Sequence, residues 1–173
     1  MPEKLIPEHV DPFRYAEQAL RLSGVVNIAT MSRLSSMISA NSGQVVVDFH
    51  FGIDEQGITL LKGHLQTELL LQCQRCLEPY NYEIIVDFVL GVASTYDEAK
   101  GLPECYEPVL TKEGHLALRE LVEDEIILNL PLIPKHERQN CKIALPVTDS
   151  EVEEGKVKSP FQVLELLKHK QDK

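Results

Sequence analysis

The chain has 173 residues, 43% apolar and 25% charged, the make-up of an ordinary globular protein able to bury a core in one domain. A formal charge of −10 weighs against generic nucleic-acid binding, which neutralises phosphates with Lys and Arg, and leaves room for a local basic site. No apolar run approaches a membrane helix and Met1-Pro2-Glu3-Lys4 lacks a signal-peptide pattern, so cytoplasmic residence is expected; four cysteines then point to metal, catalysis or burial rather than a disulfide framework.

Asp11-Pro12 reads as an N-cap followed by proline at the first helical position. Phe13, Ala16 and Leu20 recur at helical spacing, which predicts an amphipathic helix over residues 12–22, ended by Gly24. Val25, Val26 and Ile28 suggest a short strand. Thr30 or Ser32 is placed to cap a second helix carrying Met31, Leu34 and Ile38 on one face, and Asn41-Ser42-Gly43 signals a turn.

The middle of the chain alternates with a period of two. Val45, Val47, Phe49, Phe51 and Ile53 form one face of a half-buried strand, and Asp54-Glu55-Gln56-Gly57 closes a hairpin. Leu61, Leu65, Leu69 and Leu71 face away from Lys62, His64, Gln66 and Glu68 up to Cys73. After Pro79, Tyr80, Tyr82, Ile84, Val86, Phe88 and Leu90 alternate with Asn81, Glu83 and Asp87. Three long strands joined by short turns predict an α+β fold. Its centre is a strongly twisted antiparallel β-meander or partly closed barrel, with N-terminal helices and further helices after the sheet.

Residues 94–115 read as a long loop with one short strand at Pro108–Thr111. From Leu116 the spacing of Leu118, Leu121, Val122, Ile126 and Leu130 predicts a helix stopped by Pro131. The expected organisation is a single domain over residues 1–143, a flexible acidic connector over 144–158, and a C-terminal short helix with a basic tail over 159–173. Ser159-Pro160-Phe161-Gln162 supplies the capping box of that last helix. No internal repeat is present.

Cys73-Gln74-Arg75-Cys76 sits on a turn between two predicted strands, the setting of a zinc knuckle. His136 and Cys141, on the proline-bounded segment after the helix, complete a possible C-x₂-C…H-x₄-C ligand set for one structural zinc ion. Spacing alone does not show that the halves converge. Two other readings of the pair stay open. A thiol oxidoreductase would need the first cysteine to open a helix, whereas Cys76 leads through Leu77-Glu78-Pro79 into a strand. A structural interaction module would leave the cysteines without a ligand.

Other candidates are weaker. Cys105 has no spaced partner, and His50 and His64 fall on polar strand faces. Within Glu123-Asp124-Glu125, helical spacing turns Glu125 toward the apolar stripe, where a buried carboxylate needs a cation; Arg75 and Arg119 are the candidates. Phosphate-loop, nucleophile-elbow and zincin motifs are absent, and no small-molecule substrate is indicated.

Three blocks carry a resemblance. They are Leu71-Gln72-Cys73-Gln74-Arg75-Cys76, then Leu102-Pro103-Glu104-x-Tyr106-Glu107-Pro108, then Val122-Glu123-Asp124-Glu125-Ile126-Ile127-Leu128-x-Leu130-Pro131. With Pro160-Phe161-x-Val163-Leu164 and Leu167-Lys168 in the tail, their order and spacing resemble the YceD family of bacterial and plastid large ribosomal RNA subunit accumulation proteins, over nearly the whole chain. The resemblance implies a non-enzymatic role in synthesis, processing or stability of 23S ribosomal RNA. Expected partners are ribosomal RNA or large-subunit assembly proteins. It also implies a metal cluster facing the C-x-x-C pair, with His136 standing where some relatives carry cysteine. Arg75, Lys135, Arg138 and Lys142 form the basic cluster available for RNA or partner contact.

Overall fold

The computed structural model describes residues 4–137 and 140–141. The short β1 (His9–Val10) leads into α1 (Pro12–Glu17), where Asp11 Oδ1 accepts the amides of Phe13 and Arg14, both at 3.1 Å. This helix is shorter than its periodicity predicts. Residues 21–27 are taken instead by β2 (Arg21–Asn27), which pairs antiparallel with β3 (Gln44–Ile53) from Arg21↔His50 to Asn27↔Gln44. A helix running on to residue 22 would leave that edge of β3 without backbone partners.

A single 3₁₀ turn (Ile28–Thr30) and a four-residue helix α2 (Ser32–Ser35) replace the longer second helix that the pattern suggests. Met31 and Leu34 are buried and Ile38 packs against the core, so the apolar face is read correctly although its helix is brief.

β3, β4 (Thr59–Gln72) and β5 (Pro79–Ala93) form the predicted meander. Their first turn is drawn shut by Asp54, whose Oδ1 accepts the amides of Gln56 at 2.9 Å and Ile58 at 2.8 Å, while Gly57 takes φ +83°. The second joins Gln72↔Pro79 and contains Cys73 and Cys76. Phe88 lies over Gly63 on the facing strand, where a Cβ would meet its ring at 2.1 Å, so the sheet needs glycine there.

Beyond β5 the sheet departs from a pure meander. Residues 94–106, including α3 (Tyr96–Lys100), cross over and return as β6 (Glu107–Leu110), parallel to β5 in the register Leu90↔Glu107. That is about the dozen residues a parallel return needs. The order is β2-β3-β4-β5-β6, and β2 does not pair with β6, so no barrel closes. The β2 edge is covered in part: Val25 donates to Lys4 O at 3.0 Å and Ile6 donates to Val25 O at 3.3 Å. Gly24 permits this approach, since a Cβ there would stand 2.2 Å from Lys4 O.

The inner face carries Val45, Val47, Phe49 and Phe51 of β3 with Leu61, Leu65, Leu69 and Leu71 of β4, all buried. Ile53, expected on that face, is half exposed at the strand end. The pair β1–β7 (Leu116–Ala117) leads into α4 (Leu118–Leu128), which buries Leu118, Val122 and Ile126 in the same core.

Glu123 of α4 is also buried. It accepts the amides of Arg33 at 2.7 Å and Leu34 at 3.0 Å, the open donors at the start of α2, and pairs with the Arg33 guanidinium at 3.1 Å. Burial pushes this carboxyl up, but the amides of Leu34 and Arg33 and the guanidinium outweigh it and hold the group below the ordinary carboxylate value. Arg33 also pairs with Asp124. Glu125 is buried as expected, but neither expected cation reaches it. Arg119 pairs with Glu8, and Arg75 is engaged at the cysteine cluster. Burial, with Glu107 and Asp124 nearby, raises the Glu125 carboxyl.

Candidate metal centre

The turn between β4 and β5 is a knuckle made by its own backbone. Cys73 donates its amide to Glu78 O at 3.0 Å and accepts that of Leu77 at 2.8 Å. The reversal places Leu77 at φ +62°, a left-handed conformation that a leucine adopts only when its surroundings impose it. The segment after α4 then meets the knuckle: Gln74 donates to Pro134 O at 2.9 Å. Pro131 and Pro134 stop the helix and extend the chain, so His136 arrives against the turn rather than continuing along α4.

Four predicted ligands converge there. The sulfurs of Cys73, Cys76 and Cys141 and a ring nitrogen of His136 all lie within 4.8 Å of one another. Cys76 Sγ is 3.3 Å from His136 Nε2. Cys73 is fully buried, and Cys76 and Cys141 are half-buried. Cys105 stands apart on an exposed loop.

The thiols of the knuckle are not equivalent. Burial raises Cys73, but the amides of Cys76, Arg75 and His136, and the Cys76 thiol, are aimed at its sulfur and hold it at about 6. Cys76 is raised: burial dominates, and the neighbouring Cys141 and Cys73 sulfurs add to it against the Glu78 amide. Amide donors around a sulfur stabilise the thiolate, the form in which cysteine binds metal.

Three sulfurs and an imidazole are the donor chemistry of a structural zinc site. Zn–S bonds of about 2.3 Å and Zn–N bonds of about 2.0–2.1 Å place tetrahedral ligand atoms roughly 3.5–3.8 Å apart. The Cys76–His136 separation of 3.3 Å is slightly shorter than that, and the widest spread of 4.8 Å asks for about an ångström of closure. The residues fit the ion.

Two further residues shape the site. Tyr80, at the start of β5, packs edge-on against His136 with ring centroids 5.5 Å apart. Burial, Tyr82 and Cys73 raise the pKa of its hydroxyl against the opposing Lys135 amide. In the sequence Tyr80 is one of an alternating row, and its position four residues beyond Cys76 is the available signal.

Arg75 turns inward on the cluster. Its Nε donates to Cys141 Sγ at 2.9 Å and its Nη2 to His136 O at 3.2 Å. Of the expected basic contacts, Lys135 is exposed beside this site, and Arg138 and Lys142 lie outside the described residues. The acidic connector and C-terminal helix expected over 144–173 also lie outside them. Among the described residues no helix is long and apolar enough to cross a membrane.

Comparison with known proteins agrees with this chain's motif blocks. The family model described as large ribosomal RNA subunit accumulation protein YceD matches residues 61–168, which span the knuckle, α4 and the ligand-bearing loop. A Haemophilus influenzae protein, named large ribosomal RNA subunit accumulation protein YceD, is 34% identical over 169 residues, covering 95% of this chain and 97% of that protein. No solved structure matches.

Proposed function

Because the chain belongs to the YceD family of large ribosomal RNA subunit accumulation proteins, we propose that it is a cytoplasmic, non-enzymatic factor in the synthesis, processing or stability of 23S ribosomal RNA. It acts by local binding of that RNA or of a large-subunit assembly protein, and takes no small-molecule substrate. The observation that carries this reading is the family match over residues 61–168, which takes in the cysteine loop, with a relative aligned over 95% of this chain. Lys135 is the exposed cation beside the cluster on which RNA contact would centre, with Arg138 and Lys142 following it in sequence. With a net charge of −10, any phosphate contact must be confined to such a patch.

Cys73, Cys76, His136 and Cys141 would hold one structural zinc ion, fastening the loop after α4 to the sheet. Zinc, when bound, would supply a four-coordinate crosslink without redox chemistry of its own. The thiol-oxidoreductase alternative has one feature in its favour, the lowered Cys73 thiol. Against it, Cys73 is fully buried, whereas reactive cysteines are partly exposed, and a strand rather than a helix follows the pair.

Three measurements test the reading. Depleting the protein in cells should lower 23S relative to 16S ribosomal RNA; an unchanged ratio would remove the proposed role. Crosslinking with sequencing of bound RNA, joined to a salt titration, separates the modes of action. Enrichment of large-subunit RNA with steeply salt-dependent affinity supports direct contact, while copurification with an assembly protein alone supports the indirect one. Metal analysis of tag-free protein should find about one zinc per chain, and none would sink the metal assignment.

A further inference from the structure

We infer that Arg75 is a positioning residue of the cysteine cluster, bridging its last two ligands and balancing their charge. The inference rests on the zinc reading above. Arg75 lies between the two cysteines of the knuckle, yet its side chain reaches the other half of the set: Nε to Cys141 Sγ at 2.9 Å and Nη2 to His136 O at 3.2 Å. One guanidinium therefore holds both ends of the 136–141 segment against the turn that carries Cys73 and Cys76.

The charges explain why an arginine is suited to this position. Three thiolates with a divalent ion and a neutral imidazole sum to −1, and the half-buried guanidinium supplies the compensating +1. Lysine offers the same charge but cannot present two donors in a fixed planar fork.

This arrangement divides the basic residues by role. Arg75, whose Nε and Nη2 are turned to sulfur and carbonyl, serves the cluster, and the exposed Lys135 is left to face a partner.

The test compares full-length wild type with Arg75→Gln, Arg75→Lys and Lys135→Gln. Zinc affinity is read by competition with a chromophoric chelator, and ligand geometry by the absorption spectrum of the cobalt(II)-loaded protein. Loss of an outer-shell partner predicts about 10–100-fold weaker zinc binding for Arg75→Gln. Its sulfur-to-cobalt charge-transfer band should weaken as Cys141 loosens. Arg75→Lys should fall between Gln and wild type, and Lys135→Gln should match wild type.

Unchanged zinc affinity and cobalt spectrum in Arg75→Gln would overturn the inference while leaving the zinc site standing. Equal losses in Arg75→Gln and Lys135→Gln would reduce the effect to general electrostatics and also overturn it. Should Arg75→Gln fail to fold, Arg75→Lys decides: wild-type affinity there would show that nearby charge suffices without a bridge. A wild-type protein that takes up no zinc would overturn this inference together with the metal assignment.

Discussion

Two segments that follow the sheet are fastened back onto earlier parts of the chain, by different chemistry. At α4, Glu123 meets two amides and a guanidinium of α2, so its donors and acceptors are matched by protein alone. At the 134–141 segment, three sulfurs and an imidazole crowd together, with the Arg75 guanidinium and amides aimed at them. On the zinc reading, a divalent ion completes that donor set. The first clasp is therefore complete within the protein, and the second, as proposed above, awaits a metal ion.

Removing metal should have the largest effect and should strike one clasp only. With free zinc about a thousandfold above its dissociation constant, linkage contributes about 4 kcal/mol that a chelator removes. In hydrogen exchange, the Gln74 amide, bonded to Pro134 O, should then lose protection, while the Leu34 amide, bonded to Glu123, should keep it. Equal loss at both would show one cooperative unit and dissolve the distinction.

Glu123→Ala is the reciprocal experiment. It leaves two amides at the start of α2 and a half-exposed Arg33 without their acceptor, which should lower stability by about 2–3 kcal/mol, below the usual range for a broken buried pair because solvent reaches the arginine. Denaturant titration measures the loss. Zinc affinity of this variant should stay at the wild-type value, and a parallel fall would again join the two clasps.

How far each region was legible follows from how local its causes are. The alternation from Val45 to Leu90 fixed three strands, their inner faces and their turns, because a period of two is written residue by residue. The ligand set was legible as residue types, but its convergence was not. It depends on the prolines that redirect the chain after α4 and on the Gln74–Pro134 bond, which joins positions far apart in sequence. Helix 12–22 was overextended because the rival claim on Arg21 and Leu22 comes from β3. Glu123 was passed over for the same reason: helical spacing shows which side a residue faces, while its partner Arg33 is set by how α2 packs on α4. Arg75 reads from sequence as a partner for Glu125 or for RNA, and only the fold shows that it turns onto the cysteine cluster.

Acid should open the clasps in sequence. Protons compete with metal for thiolates and imidazole, so zinc held at the proposed site should leave first as pH falls. Glu123 has a folded pKa below its ordinary value of 4.5. Its contribution is thus complete above 4.5 and is lost as pH falls further, through the folded value. Zinc release followed by chelator absorbance should therefore precede the acid loss of stability that Glu123→Gln removes. A single coincident transition would contradict the order.

Glu125 supplies the smallest effect and the opposite sign. It lies two residues from Glu123 on the same helix and is also buried, but burial, with Glu107 and Asp124 nearby, raises its pKa above 4.5. The folded state therefore holds that proton more tightly than the unfolded state. Its stabilising effect is complete below 4.5 and is lost as pH rises through the raised value, where ionisation leaves a desolvated charge. Glu125→Gln removes that charge at nearly constant shape. Its melting temperature at pH 7 should exceed that of wild type by less than Glu123→Ala lowers it, and the difference should shrink as pH falls below 4.5. A destabilised Glu125→Gln at neutral pH would mean that the carboxylate has a cationic partner in solution, and the contrast between these two buried acids of α4 would fail.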